Sequence, residues 1–398
     1  MKSQHIMVIL AGIAASFIAL GIGRFAYTAL MPALIQHHWF TPYQASLLGA
    51  GNLAGYLIGA ISANFIAQRL GGGMVLRASM LICALSFILS AHPILPFLWV
   101  LSLRIIAGIT GGWIIVVVSP LLVKQFPLSR QGAVTGYIFS GIGIGVFAAG
   151  TLFPHLLEFG VAVTWLGLGG MGAVLSLIFW LPLKRLGAAD IPQEVNATSS
   201  PHIAAETLSK THLIAKRGLV LLMIFYGLDA LGYVPHSLFW VDYLVRELDY
   251  SFAEGGRFWA LFGLGAAIGP LCAGYAGDFF GFKKCLMAAA LLKASAVLTP
   301  VLIHHGLALG FSSFMVGALT PGMVTLVSAY SRQMAGADGH RKAWGRMTFS
   351  FAFAQAIGGV AMANIAPFIG VYAPLFLIGS ASLMLGFFVL LLIKPQAD

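Results

Sequence analysis

The sequence predicts an all-α integral membrane protein with twelve transmembrane helices in two pseudo-symmetric six-helix bundles. Three observations lead there. Of 398 residues, 59% are hydrophobic and only 9% are charged, against about 25% charge in an ordinary soluble domain. Apolar runs of ~20 residues, the length a helix needs to cross a bilayer, succeed one another along the chain. The glycine pattern also repeats at a nearly constant offset. This composition excludes a disordered chain and a basic nucleic-acid-binding domain. The net charge of +10 is split into short clusters between apolar runs rather than gathered on one polar face. Cys83, Cys272 and Cys285 all fall in or beside apolar runs, and an odd, scattered count makes no disulfide framework.

The runs place spans near 6–35, 43–68, 74–91, 95–123, 131–154, 160–182, 218–244, 255–277, 284–303, 306–333, 342–367 and 371–393. Barrel strands would alternate in segments of about 10 residues, whereas these runs are apolar on every face. Met1–His5 leads into the first run with no small-residue cleavage site, so that run reads as a span and not a removed signal. Loop charges set the orientation. Seventeen bases, among them Arg69, Arg77, Lys124, Arg130, Lys216, Arg217, Lys283, Lys284, Arg341, Lys342 and Arg346, fall at the ends or in even-numbered connections. The odd connections hold Arg246 and Arg257. Basic loops stay cytoplasmic, so both termini are expected inside the inner membrane. Residues 1–182 and 218–398 form the two six-helix halves, and 183–217 is a cytoplasmic linker, with a surface helix near Ala204–Lys216.

The halves echo each other. Gly55, Gly59 and Gly71 match Gly265, Gly269 and Gly281, each 210 later. Gly108 and Ser119 match Gly317 and Ser328 at 209, and Gly132, Gly145 and Pro154 match Gly345, Gly358 and Pro367 at 213. Parallel six-span repeats with a site between them are a transporter architecture. Glycines at i,i+4, such as Gly55/Gly59 and Gly265/Gly269, suit close helix packing.

The connection after span 8 reads Gly274-Tyr-Ala-Gly-Asp278-Phe-Phe-Gly281-Phe-Lys283-Lys284. It resembles the cytoplasmic loop motif of the major facilitator superfamily. The matching first-half loop is degenerate, with Asn64, Gln68 and Gly72-Gly73 where glycine, aspartate and the basic pair are expected. Arg104-Ile-Ile-Ala-Gly108 is similar to that family's buried-arginine motif. The glycines of span 5 look like the drug-exporter motif, but Ile142 stands where its proline belongs. Gly21-Ile-Gly-Arg-Phe-Ala-Tyr-Thr28 and the Trp-Leu-Gly run at 165–167 are similar to the bacterial YbfB/YjiJ-type branch. The resemblance implies that spans 1, 4, 7 and 10 line a central cavity. It also implies that Asp278, with Lys283, Lys284, Arg341 or Arg346 as partner, acts as a cytoplasmic gate or a static clamp.

Four ionisable groups lie deep in spans: Arg24, Arg104, Asp229 and Lys293. Each costs ~2.5–3.5 kcal/mol at the bilayer centre on insertion scales, so each must face protein or a wet cavity. With the resemblance, Arg24, Arg104 and Asp229 converge on the transport path. Arg24 and Arg104 are candidate clamps for an anionic substrate, because a guanidinium grips a carboxylate with two parallel bonds; either could instead neutralise Asp229. Asp229, the only acid read as deep in a span, is the candidate for proton coupling, with Arg104. Lys293, on a peripheral span, is left without a role. Tyr27, Asn52, Trp113, Tyr137, Tyr226, Tyr233, His236 and Gln355 are candidates to line the cavity. Each could equally be a packing group or an interhelical hydrogen bond.

The expectation is therefore a secondary transporter, not an enzyme. It would work as a monomer in the lipid bilayer by alternating access, with protons and a small organic anion as partners and no cofactor, metal or nucleic acid. Proton-driven export of hydrophobic compounds is the alternative. A membrane sensor or enzyme is a further one that lacks a signalling domain or a catalytic set.

Overall fold

Helix starts and stops are written into this sequence twice. Thr41 and Ser251 each open a long helix with a complete capping box, Thr41 with Gln44 and Ser251 with Glu254. In both, the hydroxyl accepts from the third backbone N–H while the partner side chain accepts from the cap's own N–H. Those two helices end at Gly71 and Gly281, whose φ of 81° and 88° suits glycine because it carries no Cβ.

The computed structural model describes residues 3–186 and 205–394, and these are helical with no strand among them. Eleven helices are long and apolar enough to cross a membrane by length and composition. They are α1 His5–Gln36, α2 Pro42–Leu70, α4 Phe97–Val123, α5 Arg130–Leu157, α6 Val161–Ile178, α7 Lys216–Glu247, α8 Phe252–Phe280, α9 Phe282–Leu302, α10 Gly306–Gly336, α11 Lys342–Ile369 and α12 Ala373–Leu391. The expected third span is a shorter apolar helix, α3, Gly72–Ile88. Gly336, at φ 70° and ψ 173°, breaks helical geometry between α10 and α11. Most of the expected linker lies outside the described residues, as does the side chain of Arg341. The separate surface helix expected near Ala204–Lys216 is corrected: one helix runs unbroken from Ala205 to Asp242.

Alternate helices bring the connections to two ends. At the terminal end, His5 packs on Phe126 at 4.9 Å and the Lys283 ammonium donates to the Ile393 carbonyl at 2.6 Å. At the distal end, the Tyr250 hydroxyl donates to the His304 carbonyl at 3.1 Å, and the Tyr372 N–H to Glu247 at 2.7 Å.

The duplication appears as packing. A Cβ on Gly108 would sit 2.1 Å from the Asn52 carbonyl, and on Gly55 or Gly59 2.2 Å from those of Ile105 or Ile109. The same α2–α4 contact recurs between α8 and α10. There Gly317, Gly265 and Gly269 would meet the carbonyls of Phe262, Phe314 and Ala318 at 2.1, 2.2 and 2.0 Å. Backbones approach this closely only where no side chain intervenes, and dispersion contact replaces a hydrophobic drive that lipid does not supply. Across the halves, α5 meets α8 in the same way, with Gly143 against Ala267 and Gly150 against Ala260. α2 meets α11, where a Cβ on Gly359 would touch Leu53.

Gly269→Ala should therefore destabilise the protein by about 1–3 kcal/mol through overpacking. Gly170→Ala, with nothing within 4 Å of the added carbon, should be neutral or stabilising by about 0.5–1 kcal/mol. Thermal unfolding of the two purified variants in one detergent checks the contrast.

Candidate functional site

Arg24 stands in a π-helical stretch of α1, Phe17–Ala26, and is buried. Such local widening is frequent at functional sites. Its guanidinium donates to the Tyr233 hydroxyl on α7, which donates in turn to Gln355 Oε1 on α11 at 2.8 Å. The guanidinium carbon lies 5.5 Å from the Tyr233 ring centroid. Tyr233 stacks on Phe351 at 5.7 Å, and Phe351 packs on Tyr226 at 4.7 Å. Two polar nitrogens of this chain, Arg24 Nε and Gln355 Nε2, are buried without a hydrogen-bond partner.

One turn before Tyr233, Asp229 accepts from the Lys293 ammonium at 2.7 Å, and both side chains are fully buried. This corrects two expectations: the partner of Asp229 is neither Arg24 nor Arg104, and Lys293 is not an isolated group on a peripheral helix. α9 is held against α10 by the Ser312 hydroxyl bonding the Ala296 carbonyl, and against α12 by Ser380 bonding that of Ala294. Lys293 immediately precedes those two carbonyl positions, and its side chain reaches Asp229 on α7. A lone buried charge is costly, whereas a hydrogen-bonded pair is tolerated. Asp229 Oδ2 has no hydrogen-bond partner. The Lys293 nitrogen also lies 5.2 Å from the Tyr233 centroid, so the pair adjoins the Arg24 chain.

Arg104 is elsewhere. Its guanidinium carbon lies 4.6 Å from the Tyr27 ring and 5.2 Å from the Phe87 ring, a cation–π setting between α1, α3 and α4. Its Nε and Nη1 have no hydrogen-bond partner, and the structure does not bring it to Asp229. Asn52 donates to the carbonyls of Gly23 and Arg104 at 3.1 and 3.2 Å, and Tyr27 to that of Ala45 at 2.7 Å, so both tie helices together. Trp113 donates to Ser62 at 2.8 Å; His236 shares a hydrogen bond with Ser312 at 2.9 Å and stacks on Trp240. Tyr137 is 52% exposed, apart from the others. At the terminal end, Asp278, Lys284 and Arg346 are exposed, and Asp278 makes no ion pair among the described residues.

Among the described residues, four hydrogen bonds join the sequence halves: Arg24–Tyr233, Thr28 to the Ser237 carbonyl, Trp259 to the Phe25 carbonyl and Tyr43 to Asn364. They lie at mid-depth or toward the distal end. The first two connect residues 209 apart, which are equivalent positions of the repeat.

A second buried acid escaped the sequence reading. Asp242, near the distal end of α7, is fully buried and takes two bonds from Arg246 at 2.6 and 2.5 Å and one from the Tyr372 hydroxyl. The i,i+4 spacing of Asp242 and Arg246 was the available signal. Arg246→Met should cost about 3–5 kcal/mol by leaving that carboxylate without its cation. Tyr372→Phe should cost about 1–3 kcal/mol, and chemical or thermal unfolding in detergent gives the comparison.

A family model described as the uncharacterised MFS-type transporter YbfB matches residues 16–391. A putative metabolite transport protein of Haemophilus influenzae is 25% identical over 66% of this chain and 64% of its own length, less than two thirds of that relative. A hexuronate transporter of Bacillus subtilis is 24% identical over 77% of this chain and 72% of its own. A probable chloroplastic anion transporter of Arabidopsis thaliana is 23% identical over 38% and 29%. Among solved structures, the nucleoside transporter NupG superposes with a TM-score of 0.74 at 14% identity, covering 98% of this chain and 100% of that one. A bacterial homolog of the human lysosomal transporter Spinster, inward-facing and occupied, superposes at 0.73 with 13% identity, covering 99% and 97%. These likenesses show the fold. Together with the match across almost its full length, they make this chain a member of the YbfB-type family of major facilitator transporters.

Proposed function

We propose that the protein is a secondary transporter that moves a small organic anion together with protons across a bacterial inner membrane. The observation that carries this reading is the donor-rich centre. Arg24 Nε and Gln355 Nε2 are buried donors without acceptors, next to a fixed positive charge. A carboxylate supplies two acceptor oxygens and the compensating charge. The relatives that carry anion and hexuronate in their names point the same way. In this reading α1–α12 are twelve spans in two bundles, with both termini cytoplasmic. The hydrogen bonds between halves toward the distal end then hold the outer side closed. Asp229 is the proton-carrying group. The Asp278 loop forms its contacts with Lys283, Lys284, Arg341 or Arg346 in the opposite arrangement, which accounts for its present exposure.

A thermal-shift screen of the purified protein against lactate, gluconate, glucuronate and benzoate tests the substrate class. At least one carboxylate should stabilise the wild type, and both Arg24→Ala and Arg24→Lys should abolish that stabilisation. Stabilisation by lipophilic cations alone would count for export of hydrophobic compounds. Asp278→Asn should insert normally but alter the rate of uptake into proteoliposomes; an unchanged rate removes the gate.

A further inference from the structure

We propose that Lys293 is the positioning residue that links anion binding to protonation of Asp229, so that a proton and an anion are taken up together. The proposal rests on the anion-binding reading above. The Lys293–Asp229 pair is neutral as a unit, with its two atoms 2.7 Å apart and both side chains fully buried. A proton arriving at the unpartnered Asp229 Oδ2 forms one O–H bond, and no other covalent bond is made or broken. The carboxyl becomes neutral, and Lys293 is left as a buried cation with no counter-charge, a state that proteins tolerate poorly. An anion placed on the Arg24 chain relieves it.

The geometry puts the two within electrostatic reach. Arg24 Cζ and Lys293 Nζ lie 5.5 and 5.2 Å from the same Tyr233 centroid, so the cationic centres are no more than about 10.7 Å apart. Unit charges ~10 Å apart at an effective dielectric of ~20 attract by an amount equivalent to about twentyfold in affinity. Linkage is reciprocal: protonation tightens anion binding by that factor, and anion binding draws in a proton. The loaded centre holds one proton and one anion more than the empty one, so the movement of a monoanion carries no net charge.

Tyr226, Tyr233 and His236 on α7 face the pair, and beyond Tyr233 lie Arg24 on α1 and Tyr56 on α2. The hydroxyls of Ser380 and Ser382 on α12, Ser312 on α10 and the amide of Gln355 on α11 complete the surroundings without adding charge. His236 is the other nearby side chain of a type that ordinarily titrates between about pH 5 and about pH 8.

The test is the affinity, at about pH 5.5 and about pH 8, of the carboxylate that best stabilises the wild type in the screen, together with proton uptake in weak buffer. Wild type should bind about twentyfold tighter at the acid pH and take up protons on binding. Asp229→Asn, a permanently neutral acid mimic with Lys293 uncovered, should bind at the tight value at both pH values without proton uptake. Asp229→Asn/Lys293→Met, which removes both charges, should bind at the weak value at both. Equal affinity in these two variants, or wild-type pH dependence surviving in the double variant, overturns the role of Lys293. Should the single variant fail to fold, the double variant still decides, because only a weak, pH-independent affinity agrees with the proposal. A pH profile lost in His236→Gln and kept in Asp229→Asn also overturns it. Tight, pH-independent binding by wild type sinks this inference while leaving the anion reading intact. A screen in which no carboxylate binds sinks both.

Discussion

A charge removed from water into an apolar interior must find a counter-charge or a set of hydrogen-bonding groups, or it destabilises the protein that holds it. In this chain that constraint shapes every helix that carries an ionisable group in its middle. Lys293 turns inward to Asp229. Arg246 folds back one turn onto Asp242. Arg104 lies between two aromatic rings, and Arg24 reaches across to Tyr233. Asp229 and Asp242, on one helix, are thereby connected to α9 and to the start of α12. Arg24 and Arg104 keep nitrogens without hydrogen-bond partners, and so does Gln355 beside Arg24.

Internal duplication gives this centre its location. Arg24 and Tyr233 occupy equivalent places in the two repeats, as do Thr28 and Ser237. Glycine faces hold the supporting helices at the same close distance in both halves of the sequence. The duplication is broken where it matters chemically. A cation in one half faces a phenol in the other. The π-helical stretch is also one-sided at this depth, present around Arg24 and absent around Tyr233.

Much of the architecture was legible in the chain because its signals are local or periodic. Apolar runs marked the helices to within a few residues, and glycines at i,i+4 marked faces that pack closely. The paired capping boxes at Thr41 and Ser251 could have been read from the same offset. Of the candidate site residues, Arg24, Tyr233 and Gln355 come together, and Asp229 adjoins them through Tyr233. Arg104, Trp113 and Tyr137 do not join them.

The sequence by itself determined which groups are costly to bury, since hydropathy and charge are properties of composition along a line. It named Arg24, Arg104, Asp229 and Lys293 as the groups needing an explanation. Only the tertiary structure decided which of them explain one another. Asp229 is 64 residues from Lys293 in the chain, and nothing in either segment states which face of α9 turns toward α7. That choice is made by helix rotation, to which the Ser312 and Ser380 hydrogen bonds contribute from two other helices at the Ala296 and Ala294 carbonyls, just after Lys293. Partner identity is a property of packing, and packing depends on all the helices together.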